Sequence, residues 1–120
     1  MIDGIVTEEG TPVVRLELDG DSWLTVVDSG FNGALELPLE LKDRLSTVPM
    51  GTVRSELAAG VLVEEESFMI VLPFDGEKVL AQVTFADVEQ ALLGTELLTN
   101  HRLEIDFPAR TVHLFRPTQT

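Results

Sequence analysis

Trp23-Leu24-Thr25-Val26-Val27-Asp28-Ser29-Gly30-Phe31-Asn32-Gly33 runs an apolar segment straight into an acidic turn. β-branched residues with period-two alternation read as a strand, and Asp-Ser-Gly reads as the turn that ends it. These three residue types dominate ordinary turns, so the tripeptide alone says little. Its placement says more. Val26 and Val27 bury the approach to Asp28, and Gly30 lets the backbone fold back close beneath the carboxylate. A carboxylate at the end of a buried strand is costly unless its oxygens are hydrogen-bonded or it shares a proton.

Upstream, Val13 to Leu18 places Val13, Arg15 and Glu17 on one face and Val14, Leu16 and Leu18 on the other. Asp19-Gly20-Asp21 is a turn signal, so this strand pairs with Trp23 to Val27 as a hairpin. Ile2 to Val6 reads as an outer strand, closed by Glu8-Glu9-Gly10. Downstream, Pro38 opens a short helix reaching Leu45, with Leu41 and Leu45 on one face. Val48 to Gly51 reads as a connector. Strands are then expected at Thr52 to Leu57, Val61 to Phe68, Met69 to Pro73 and Lys78 to Phe85. Ala58-Ala59-Gly60 and Asp75-Gly76 supply tight turns between them.

Leu92 to Asn100 contains a second helix, with Thr95 as its cap and Glu96 near the positive end of its dipole. Leu103, Ile105 and Phe107 alternate, and Pro108-Ala109 turns the chain into Thr111 to Phe115 as a closing hairpin. About eight short strands with one or two helical turns point to a mainly β fold, a compact barrel or folded sheet. Residues 1–120 read as one domain, and edge strands at both termini are available to pair with another chain.

Composition narrows the function classes. A hydrophobic fraction of 44% over 120 residues excludes disorder and supports a real core. The absence of cysteine excludes disulfides and thiolate metal sites. Apolar runs such as Phe68 to Pro73 are too short to span a membrane, and Met1-Ile2-Asp3-Gly4 lacks the features of a secretory signal. A cytoplasmic location is expected. The net charge of −13 disfavours nucleic acid and favours neutral or basic partners. Glu64-Glu65-Glu66 reads as a solvated face.

His101 and His113, with Glu104 and Asp106, fit no common zinc spacing, and His101 is expected at a helix end, facing the dipole. Neither a metal nor a cofactor is expected. Ser22, Ser29 and Ser67 lie in no Gly-x-Ser-x-Gly elbow, and no glycine-rich phosphate loop is present.

A second segment, Ala91-Leu92-Leu93-Gly94-Thr95-Glu96-Leu97-Leu98, reads as a buried strand, a glycine corner and a helix. Asp-Ser-Gly after an apolar strand, joined to this later apolar-apolar-Gly segment, resembles the retropepsin-like (retroviral-type) aspartic proteases. The likeness is closest to small prokaryotic members whose motif reads Asp-Thr-Gly-Phe, here Asp28-Ser29-Gly30-Phe31 followed by Gly33-Ala34-Leu35-Glu36-Leu37-Pro38. Leu93 to Leu98 and His101-Arg102-Leu103-Glu104-Ile105-Asp106 also look like the ending of those bacterial proteins, so the resemblance runs from about Ile2 to Phe115.

The resemblance implies an endopeptidase that hydrolyses peptide bonds in a peptide or protein substrate. Two Asp loops, one from each subunit of a homodimer, would face each other and share a proton, with Asp28 the catalytic residue. Ser29 and Gly30 would support the loop, Ser29 keeping the hydroxyl of the commoner Thr without its methyl. Phe31 and Asn32 would contact substrate, as would a flap hairpin turning at Ala58, Ala59 and Gly60. Many relatives carry an acidic residue where Ala59 stands. Viral members carry an Arg where this chain has Thr95, and that Arg helps to lock their dimer. The alternative reading is a non-catalytic dimeric module that binds peptides and keeps the fold.

Overall fold

The computed structural model describes residues 1–56 and 58–117. Its strands are β1 (Ile2–Val6), β2 (Pro12–Leu18), β3 (Asp21–Val27), β4 (Leu35–Pro38), β5 (Val48–Glu56), β6 (Leu62–Phe74), β7 (Glu77–Ala86), β8 (Ala91–Leu93), β9 (Arg102–Asp106) and β10 (Thr111–Phe115). One short helix, α1 (Thr95–Leu98), follows β8. The strands form a single ten-stranded sheet in the order β5-β6-β7-β4-β8-β3-β2-β1-β10-β9. The sheet curls around one core, to which β2 gives Val14, Leu16 and Leu18, and β6 gives Ile70, Leu72 and Phe74. The fold is mainly β, and the alternation in β2 is the one its sequence displays.

Locally paired strands follow the hairpins expected of them. Two pairings do not come from hairpins: β3 lies parallel to β8, and β4 lies parallel to β7 while running antiparallel to β8. β4 is an element the turn and period signals leave unassigned. Leu35 and Leu37 enter the core from one face of it, and Glu36 points to the other.

Several boundaries differ from expectation. Val48 to Gly51 is the start of β5 rather than a connector. The pairing with β6 shifts between Pro49 and Gly51, where Gly51 adopts φ 94° and Ser67 Oγ donates to the Gly51 carbonyl at 3.2 Å. Opposite this bulge, Ser67 and Phe68 are both buried, so the inward phase of β6 switches there. That switch is why one 13-residue strand reads as two in sequence. The end of the expected Thr52 to Leu57 strand, at Leu57, lies outside the described residues. Pro38 to Leu45 forms only a 3-10 turn at Leu39–Leu41, anchored by the fully buried Leu41, since so short a segment cannot nucleate an α-helix. Leu92 to Asn100 divides into the end of β8 and α1, and the cap position is Gly94 rather than Thr95.

β1 is not an edge. β10 returns along it and β2 flanks its other side, so the sheet edges are β5 and β9.

Candidate active site

Asp28 stands one residue beyond β3. Its N–H donates to the Leu93 carbonyl at 2.9 Å, continuing the parallel pairing of β3 with β8 past the end of the strand. Its Oδ1 accepts the Gly30 N–H at 2.9 Å, and its own carbonyl accepts the Phe31 N–H at 3.1 Å. The carboxylate is thereby turned back over its own loop, an Asx-type turn. A Cβ at Gly30 would lie 3.2 Å from Asp28 Oδ1, tighter than usual, so glycine suits the close approach. Asp28 is half-buried, and Ser29 and Gly30 are exposed.

The loop is held from below by the β8–α1 corner. Gly94 N–H donates to the Ala34 carbonyl at 2.9 Å, Thr95 N–H to the Phe31 carbonyl at 2.8 Å and Glu96 N–H to the Gly33 carbonyl at 3.2 Å. The first N–H groups of α1, which have no partner within the helix, are satisfied by the Asp loop in place of a capping side chain. Gly94 is required for this contact. A Cβ there would meet the Gly33 carbonyl oxygen at 2.1 Å and the Phe31 carbonyl oxygen at 2.6 Å. Two segments distant in sequence are thus one rigid unit.

The β5–β6 hairpin rises beside this unit and turns through Ala58–Gly60, with φ 68° at Ala59 and 75° at Gly60. Between hairpin and loop lies a groove of about 610 Å³. Gly30, Phe31 and Asn32 line it, as do Val53 and Glu65 from the hairpin and Gln82 and Thr84 from β7. Asp28, Ser29, Ala59 and Gly60 are not among its lining residues. The structure therefore brings the loop residues Phe31 and Asn32 together with the hairpin's sides, and its tip stands outside the groove.

Glu36 and Glu65 also line the groove, although neither is singled out by motif. Glu36 is the outward residue of β4 in register with Thr84, and Glu65 is paired with Val53. Burial, and secondarily the Glu65 carboxylate, push the Glu36 carboxyl above the ordinary carboxylate range. The run Glu64-Glu65-Glu66 is accordingly not one solvated face: Glu64 and Glu66 are exposed, and Glu65 turns to the groove. Alternation within β6 is the signal that separates them.

The two histidines serve separate contacts. His101 Nε2 lies 3.1 Å from Asp75 Oδ2, with both side chains buried, so its partner is the β6–β7 turn rather than the end of α1. His113 Nδ1 lies 2.7 Å from Asp3 Oδ1 across the β1–β10 pair.

Solved structures show that this curled sheet has the retropepsin-like fold. The chain superimposes on a retropepsin-like aspartic protease from Rickettsia conorii with a TM-score of 0.63 at 18% identity, over 93% of this chain and 87% of that one. It matches EIAV protease, solved in complex with the inhibitor HBY-793, at a TM-score of 0.56 and 18% identity, over 78% of this chain and 89% of that one. The protease–reverse transcriptase of foamy virus, solved with an RNA/DNA hybrid, matches at 0.61 and 16% identity, with 78% of this chain on 13% of that one. No protein-family model matches the sequence, and no curated protein matches it. The fold is therefore shared where the sequences have largely diverged.

Proposed function

We propose that the chain is an aspartic endopeptidase that works as a homodimer. The observation that carries this reading is Asp28 at the end of β3, its carboxylate fixed by the Gly30 N–H, on a loop clamped by the β8–α1 corner. One chain offers one such carboxylate, and general acid–base hydrolysis of an amide needs a base for the water and an acid for the leaving group. Two copies of the loop related by a two-fold axis meet that need. Like charges a few ångströms apart do not both ionise readily, so the pair holds one proton between its members. The ionised member takes a proton from water as it attacks the peptide carbonyl, and the protonated member donates to the carbonyl oxygen. Protonation of the leaving nitrogen then completes cleavage. The apparent pKa values of such a dyad belong to the pair.

In that dimer Ser29, exposed on the single chain, would bond across the two-fold axis, and an extended peptide would lie in the groove against the sides of the β5–β6 hairpin. The alternative, a peptide-binding module without catalysis, draws on Thr95, which offers no side-chain charge to lock the close pairing of two Asp loops that catalysis needs.

Digestion of a peptide library between about pH 4 and 7 separates the two readings. Cleavage by the wild type, with a rate per chain that rises with protein concentration and vanishes in Asp28→Asn, supports the enzyme. A stable dimer that cuts nothing at any pH supports the module.

A further inference from the structure

The groove has a chemical character that the Asp loop does not explain. Its walls carry Glu36 from β4, Glu65 from β6, Glu56 from β5 and Glu96 from α1. Arg54 is the one cation among its described lining residues, and its guanidinium is turned to Glu64 across the hairpin at 3.6 Å. Among the described residues, no ion pair or side-chain hydrogen bond engages Glu36 or Glu65. Both carboxylates face the same groove, where burial first, and the Glu65 charge second, disfavour ionisation of Glu36. A partly desolvated, unpaired Glu36 is costly when ionised, and a cation in the groove that it shares with Glu65 relieves that cost.

The rest of the lining narrows the choice of cation. Phe31 and Val53 provide apolar surface beside the carboxylates, and Gln82 and Thr84 provide neutral hydrogen-bonding groups. A bare ion makes no use of the apolar wall. A lysine or arginine does, because its aliphatic stem lies along apolar surface as its charged head reaches polar partners.

We propose that this groove is a specificity subsite for a basic side chain, the stem resting on Phe31 and Val53 and the cation held between Glu36 and Glu65. The inference deepens the endopeptidase reading and rests on the groove being the substrate cleft. The substrates are then extended peptides with lysine or arginine near the bond that is cut. The net charge of −13 acts in the same direction, drawing such segments toward the protein.

The test uses a peptide carrying lysine and its twin carrying the neutral isostere norleucine, bound to the full chain bearing Asp28→Asn so that nothing is cut. The lysine peptide should bind about tenfold more tightly, the size of one charge-assisted hydrogen bond in a sheltered site. That ratio should fall toward one in Glu36→Gln and in Glu65→Gln. Both variants remove a like-charge repulsion, which guards against their failing to fold. Equal binding of the twins, or a ratio untouched by both substitutions, overturns the subsite. Library cleavage by the wild type reports on the parent reading separately. Preferential binding without any cleavage keeps the subsite and removes the endopeptidase, whereas cleavage without enrichment of lysine or arginine removes the subsite and keeps the endopeptidase.

Discussion

Asp28 and Glu36 are both carboxylates near one loop, and their surroundings assign them different work. Asp28 has a fixed bond to the Gly30 N–H, and Glu36 has burial and a like charge instead. Asn at position 28 preserves shape but supplies neither base nor acid, so Asp28→Asn should lower kcat by about 10³-fold or more with the fold intact. Steady-state kinetics alongside circular dichroism checks both halves of that expectation. For Glu36 the folded protein holds the proton more tightly than the unfolded chain does. Its contribution therefore favours folding below the ordinary carboxylate range and turns unfavourable as pH rises through the elevated folded value. Glu36→Gln should accordingly stabilise the protein at pH 7 by about 0.5 kcal/mol or less, given solvent screening, with the gain gone under acid conditions. Urea unfolding at both pH values measures it. Asp28 is legible in sequence because the valines before it and the glycine after it are its immediate neighbours. Glu36 is not, because its burial, and secondarily the charge of Glu65, come from strands remote in the chain that share the groove with it.

Among the elements, the β8–α1 corner and the Asp loop depend on each other most. A methyl at Gly94 cannot be placed without moving the Gly33 and Phe31 carbonyls that accept the first N–H groups of α1. Gly94→Ala should cost about 2–4 kcal/mol, visible as a lower thermal midpoint, and should impair any cleavage that persists. The His101–Asp75 contact joins the turn after β6 to the segment entering β9, with the imidazole edge-on to Phe74 at 5.1 Å. His101→Ala leaves the buried Asp75 carboxylate with only the Met1 ammonium as partner and opens a cavity beside Phe74, so a loss of about 2–3 kcal/mol is expected in chemical denaturation. Hairpins such as β2–β3 and β9–β10 can be read from the chain because their partners are adjacent and alternation declares their faces. The parallel pairs β3–β8 and β4–β7 cannot, since nothing local states which distant strand lies alongside. β6 shows a further limit, because its change of phase opposite the β5 bulge looks in sequence like a break.

For the whole molecule, a homodimer brings together two chains that each carry a net charge of −13. Like net charges oppose this, and salt screens them over a Debye length of about 8 Å at physiological ionic strength. Sedimentation should show tighter self-association as salt is raised from low to moderate concentration, and again as pH falls. Dissociation by salt would instead mean that ion pairs dominate the contact. The overall fold class was accessible from the Asp-Ser-Gly and Leu-Leu-Gly segments together with their order in the chain. The place of the first strand was not, because β10, remote in the chain, returns along β1 and leaves β5 and β9 as the sheet edges. The most direct test is a crystal structure of the protein grown under mildly acidic conditions, read for the separation of the two Asp28 carboxylates. A two-fold dimer is expected, with those oxygens about 2.5–3 Å apart, as in a shared-proton hydrogen bond. A monomer, or a dimer that holds the two acids beyond each other's reach, would contradict it.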